Sequence, residues 1–157
     1  MNDVVMYEDG SLRQGVARNI HVAAWFDAPN LEQMRAYGRC ARRVHARYRG
    51  QSAFFNLVVD GRPTFANDVR KAAADYTREG LHEIGAAHVV LVPGFLGVST
   101  RAFFSTMLLL GRPSNPTKVF ADIESAARWQ AANLAAFPDE EWALGDIAEV
   151  CRKMTLR

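Results

Sequence analysis

Two hydrophobic periods share this chain, and the points where one gives way to the other mark out its elements. Val4 to Tyr7 and Leu12 to Val16 flank "EDGS", whose Asp9-Gly10 is a hairpin signal, so two short antiparallel strands open the fold. "NIHVAAWF" alternates Ile20, Val22, Ala24 and Phe26 against His21, Ala23 and Trp25, the period of a strand covered on at least one face. The pattern then changes at "DAPN". Asn30 with Gln33 three residues on forms a capping box, and Leu31, Met34, Tyr37, Gly38, Ala41, Val44 and Tyr48 recur at helical spacing. The first helix is expected to run to about Tyr48.

"SAFFNLVV" reads as a buried strand, followed by a helix in "NDVRKAAADYTREGLHEIG" with Val69, Ala72, Ala73 and Tyr76 on one face and Gly85 as its stop. "AHVVLV" predicts a further buried strand. After "PGFLG", Ser99 or Thr100 can cap a very apolar helix reaching about Leu110 and closed by Gly111 and Pro113. "TKVF" is a short strand, Asp122 caps "IESAARWQAANLAAF", and "PDEEWALGDIAEVCRKM" is a last amphipathic helix carrying Trp142, Ile147, Val150 and Met154. Strands alternating with helices after a hairpin predict an α/β sandwich around a mixed, mostly parallel sheet, with "AFFNLVV", "AHVVLV" and "TKVF" parallel. Ligands of such sheets sit at the carboxyl ends of the strands, here "DGRPT" and "PGFLGVST".

Composition narrows the class. At 157 residues, 49% hydrophobic and 23% charged, the chain suits a single globular domain, residues 1–157, needing no metal or disulfide staple. Its net charge of +2 points to no particular partner, and sixteen arginines against three lysines reflect a GC-rich, bacterial coding bias. Cys40 and Cys151 are far apart and lack metal-ligand spacing. The amino terminus has no signal-peptide pattern, and the longest apolar stretch is interrupted by Pro93 and two glycines, so a cytoplasmic protein without membrane insertion is expected.

The order of hairpin, strand, helix and three further strand–helix units, ending on "KVFADIESAARWQAANL", resembles the STAS or SpoIIAA-like family over residues 4–136, leaving 138–154 as an additional helix. In anti-sigma-factor antagonists of that family, a phosphorylatable Ser lies in an Asp-x-Ser-Gly loop after the third strand. "DGRPTFAND" occupies that place with Thr64 as its nearest hydroxyl and lacks the Ser-Gly pair. The family also contains lipid-binding and small-molecule-sensing members. The resemblance therefore implies a binding or regulatory module rather than a reaction.

Several candidates remain. A phosphate on Thr64 would meet a helix amino terminus near Arg62 and Arg70, whereas the plainer reading makes Thr64 or Asn67 a cap and Pro63 a turn former. Asp60, Arg62, Thr64, Asn67, Ser99 and Thr100 are the candidate binding residues of the strand-end loops. Arg35, Arg39, Arg42, Arg43 and Arg47 line one face of the first helix without interleaved aromatics, which favours a solvated face over a nucleic-acid surface. An acidic run, Asp139, Glu140, Glu141, Asp146 and Glu149, can offset it. His21, His45, His82 and His88 have no HxxxH or HExxH spacing; His21 and His88 suit structural roles, and Cys40 a buried inert thiol.

"RAFFSTMLLLG" is apolar on more than one helical face, although a helix lying on a sheet needs one stripe. Its excess is covered by the last helix, by a second subunit through Phe103, Met107 and Leu110, or by an apolar ligand. Two functions follow: a non-catalytic STAS-like regulatory or interaction domain, self-associating as a homodimer or meeting a regulatory protein, and a small-molecule or lipid carrier with an apolar pocket near the third helix. No catalytic set, metal site or cofactor is expected.

Overall fold

The computed structural model describes residues 4–61 and 65–157. Six strands form one sheet: β1 (Val4–Glu8), β2 (Leu12–Ala17), β3 (Ile20–Trp25), β4 (Ala53–Val58), β5 (Gly85–Val90) and β6 (Thr117–Phe120). They lie side by side in chain order. The β1–β2 and β2–β3 pairs are antiparallel, and β3–β4, β4–β5 and β5–β6 are parallel. The expected parallel arrangement of the last three strands is thus observed. The helices are α1 (Leu31–Tyr48), α2 (Asn67–Glu79), α3 (Gly94–Gly111), α4 (Ile123–Leu134) and α5 (Leu144–Thr155).

Central strands are largely apolar because helices cover both of their faces, His21, Asn56 and His88 being the exceptions. Ile20, Val22, Ala24, Phe55, Leu57, Ala87 and Val89 point to one side, where Ile123, Ala126, Leu134, Ile147, Val150 and Met154 of α4 and α5 complete the main core. Fully buried Phe55, Ile20 and Ile147 each contribute about 1.5–3 kcal/mol by leaving water. Gln130 on α4 reaches into this layer and donates to the Gly85 carbonyl (2.9 Å), so its buried amide is not wasted. On the opposite side, Ala23, Trp25, Phe54 and Ala86 meet Met34 of α1 and Val69 of α2.

Local signals account for most boundaries. Asn30 accepts from the Gln33 amide (2.9 Å) while the Gln33 side chain accepts from the Asn30 amide (3.0 Å), the reciprocal cap expected of α1. Asp122 accepts from the Ser125 amide (2.7 Å) at the start of α4. In the hairpin, Asp9 accepts from the amides of Ser11 and Leu12 and from the Gln33 side chain, tying β1–β2 to the first turn of α1.

Three boundaries differ from expectation. α2 stops at Glu79, not at Gly85: Gly80 takes the left-handed conformation (φ 62°) that terminates helices, while Gly85 opens β5. α3 begins at Gly94 with Pro93 as its cap residue, so Ser99 and Thr100 lie inside the helix and cap nothing. Gly97 carries a helix-propensity cost but is required there, since a Cβ on it would stand 1.8 Å from the Val92 carbonyl oxygen. Trp142 precedes α5 rather than riding on it, and its indole donates to Asn19 Oδ1 (2.9 Å), pinning the α4–α5 connection to the β2–β3 turn.

Candidate functional site

On the side of the sheet facing α1, α2 and α3, the side chains do not fill the space. Helix α3 meets the sheet only over β5 and β6 and touches α2, and just Gly97 and Thr100 of its residues are buried. Between it and the strands lies a cavity of about 390 Å³. Its floor is Trp25, Phe54, Asn56, Ala86 and His88 from three parallel strands. Met34 and Tyr37 of α1 and Val69, Ala73 and Tyr76 of α2 form one wall, and Thr100, Phe103, Phe104 and Met107 of α3 form the other. Exposed Asp60, Arg70, Arg78 and Leu110 stand on the rim.

The space opens at its rim, where Asp60, Arg70, Arg78 and Leu110 are exposed, so it is a cleft continuous with solvent rather than a sealed void. Volumes of about 300–1,000 Å³ are those of small-molecule sites, and an apolar lining with a few placed polar groups is their usual composition.

Aromatic contacts shape the walls. Phe65, Phe103 and Phe104 form a cluster with centroid separations of 5.4–6.5 Å, and Phe104 stacks on His88 at 5.4 Å. Gly38 on α1 gives Tyr76 room, because a Cβ there would lie 2.2 Å from the ring.

The polar groups on this side of the sheet form two chains. In the first, Trp25 Nε1 donates to Asn56 Oδ1 (2.8 Å), and Asn56 Nδ2 donates to His88 Nδ1 (2.9 Å). Strand register brings Asn56 and His88 opposite each other on β4 and β5. Burial holds the His88 pKa down at about 4, so the ring is neutral at physiological pH.

In the second chain, Ser52 Oγ donates to His82 Nδ1 (3.1 Å), His82 Nε2 to His21 Nδ1 (3.4 Å), and His21 Nε2 to Gln14 Oε1 (3.2 Å). Burial lowers the His21 pKa to about 3 and puts that of His82 well below its ordinary value. Ser52 and His82 have nucleophile–base spacing, but Ser52 is fully buried and its oxygen also lies 3.4 Å from the Leu81 carbonyl. This chain therefore stabilises a core of stacked rings, in which Phe54 lies against His82 at 4.8 Å and Tyr37 against His21 at 5.7 Å.

The residues named from the sequence distribute unevenly over this site. Asp60 is on the rim, and Thr100 lines the cavity with its hydroxyl donating to the Leu96 carbonyl (2.7 Å). Arg62 and Thr64 lie outside the described residues. Asn67 is the first residue of α2, and the cap position before it is Ala66, which makes no side-chain bond; Asn67 and Ser99 stand apart from the cavity lining. Phe103 and Met107 face the cavity, whereas Leu110 at its rim is 77% exposed, so the three residues expected on one interface divide between two surroundings. The last helix does not cover them: α5 packs on α4 and on β2, β3 and β4.

The arginine face of α1 is exposed at all five positions. Arg42 forks onto Glu79 of α2 and Arg39 pairs with Glu32 (3.3 Å), so part of its charge is balanced locally. Cys40 and Cys151 are buried free thiols, and burial raises the pKa of each. Among the described residues no group of His, Cys, Asp and Glu has the arrangement of a metal site. Helix α3 is long and apolar enough, by length and composition, to cross a membrane.

Trp25, Asn56 and His88 were not among the residues singled out for binding. A signal existed: Asn56 interrupts "FFNLVV" and His88 interrupts "AAHVVLV", each a lone polar residue inside a strand buried on both faces. Comparison with protein-family models, curated proteins and solved structures returned no match.

Proposed function

We propose that this protein is a non-catalytic, STAS-like domain that binds an apolar small molecule or lipid between its sheet and α3. The cavity of about 390 Å³ carries the reading, since its walls are aromatic and aliphatic and its volume is on the scale of small-molecule sites. The Trp25–Asn56–His88 chain supplies the few fixed polar groups such sites use for orientation. A carrier or sensor role follows from such binding. Neither needs a nucleophile, metal or cofactor.

Trp25 is a reporter for this site, because Trp129 and Trp142 pack with the core on the opposite side of the sheet. Titration with an apolar probe such as 2-nonanone is expected to shift Trp25 emission. Met107→Trp, which fills the cavity from α3 without touching a strand, is expected to weaken binding at least tenfold. Equal binding by the wild type and this variant would overturn the reading.

A second reading rests on the outer surface of α3. Phe95 is 86% exposed and Leu109 77%, with Val98 and Leu110 also outward, more apolar surface than one helix of a monomer ordinarily leaves in water. Self-association through this face supports a regulatory, protein-binding role compatible with a filled cavity.

A further inference from the structure

The orientation of one amide decides the hydrogen-bonding character of the cavity floor. An indole N–H can only donate, so the atom of Asn56 facing Trp25 Nε1 at 2.8 Å must be the oxygen. The Asn56 nitrogen therefore faces His88 and donates to Nδ1 at 2.9 Å. A neutral imidazole that accepts at Nδ1 carries its proton on Nε2. That N–H has no acceptor among the described residues, although His88 lines the cavity and its ring is held in place by Phe104 at 5.4 Å. His88 is half-buried, so this N–H meets solvent in the empty cavity, and a ligand that displaces that solvent must supply an acceptor of its own or leave the donor unpaired.

Resting on the small-molecule reading above, we propose that His88 Nε2–H is the anchor for the polar end of the ligand, and that the site selects an apolar molecule carrying an uncharged carbonyl-type oxygen. Trp25 and Asn56 are positioning residues: they fix the tautomer and the ring without needing to touch the ligand. A plain hydrocarbon would leave the donor unmade. A carboxylate brought to the same depth would bring a charge among apolar walls beside a neutral ring, with the nearest cations, Arg70 and Arg78, out at the rim. A ketone, ester or aldehyde oxygen satisfies the donor without either penalty.

The test uses the intact protein, two probes and one spectrum. Long-range ¹H–¹⁵N NMR of the wild type is expected to show His88 as the Nε2–H tautomer, with the Nε2 proton moving downfield when 2-nonanone is added. Binding of 2-nonanone and of n-decane, delivered from cyclodextrin, is then compared in wild type and His88→Phe. The ketone is expected to lose roughly tenfold in affinity while the hydrocarbon keeps its own or gains, the scale of one hydrogen bond. Asn56→Leu is expected to mix the two tautomers and to lose part of the ketone preference. An Nδ1–H tautomer in the wild type, or an equal effect of His88→Phe on both probes, overturns the proposal and leaves the apolar site standing. Failure of both probes to bind the wild type would overturn the site itself and this proposal with it.

Discussion

Acidification from pH 7 to pH 5 is the perturbation that questions the interior of this protein most directly. His21, His82 and His88 are all held neutral by burial, with folded pKa values of about 3 for His21, about 4 for His88, and well below the ordinary value for His82. In the unfolded chain each would titrate near ~6.5. As the pH falls, the unfolded state takes up protons first, so stability present at pH 7 is lost from about pH 6.5 down to the folded values. At pH 5 the solution is about 1.5 units below the unfolded pKa, which at ~1.4 kcal/mol per unit is about 2 kcal/mol for each of His21 and His88, about 4 kcal/mol together, with His82 acting in the same direction. That is a large part of a typical stability of ~5–15 kcal/mol. The geometry gives the same sign, since the accepting nitrogen of each ring already receives a hydrogen bond and a proton placed there would break it. Urea denaturation followed by tryptophan fluorescence and circular dichroism at pH 7, 6 and 5 measures the loss. With an m-value of ~2 kcal/mol/M, the midpoint should fall by about 2 M or more between the extremes. His88→Phe should remove part of this pH dependence. Midpoints at pH 5 and pH 7 within about 0.5 M of each other would refute the reasoning, because imidazoles held neutral by the fold cannot then be present.

Gly38→Ala places a Cβ 2.2 Å from the Tyr76 ring and must push that ring toward the cavity. It should cost about 1–3 kcal/mol in urea denaturation and weaken 2-nonanone binding, and unchanged binding would show that Tyr76 does not shape the site. If the outer face of α3 joins two copies of the chain, sedimentation at tens of micromolar should show a dimer, and Leu109→Asp, at a position 77% exposed, should release folded monomers. A monomeric wild type would end the self-association reading.

The sequence conveyed the framework because its signals are local. The Asn30–Gln33 box, the Asp122 cap and the apolar runs "AFFNLVV" and "AHVVLV" each act over a few residues, and each is where the spacing placed it. The boundaries that moved turn on local backbone geometry that apolar periodicity does not carry: Gly80, not Gly85, takes the left-handed conformation that ends α2. Gly97 sits inside α3 because the helix passes too close to Val92 for a side chain, which no propensity scale conveys. The site was less legible for a tertiary reason. Trp25, Asn56 and His88 come from three strands, and only the register that sets Asn56 opposite His88, with Trp25 on the neighbouring strand, turns them into one chain of bonds.

Helix α3 joins the local and tertiary levels. Its sequence showed more apolar surface than a sheet could cover, and three covers were open to it: the last helix, a second subunit or a ligand. The structure removes the first, because α5 lies with α4 on β2, β3 and β4. It also divides the surplus. Phe103, Phe104 and Met107 turn toward the cavity, while Phe95, Val98 and Leu109 turn outward. A helix apolar all round is expected wherever both sides meet apolar surroundings, so its two faces make separate demands. On the reading proposed above, a molecule small enough for about 390 Å³ would meet the inner one, and a surface at least as broad as the helix is long the outer one.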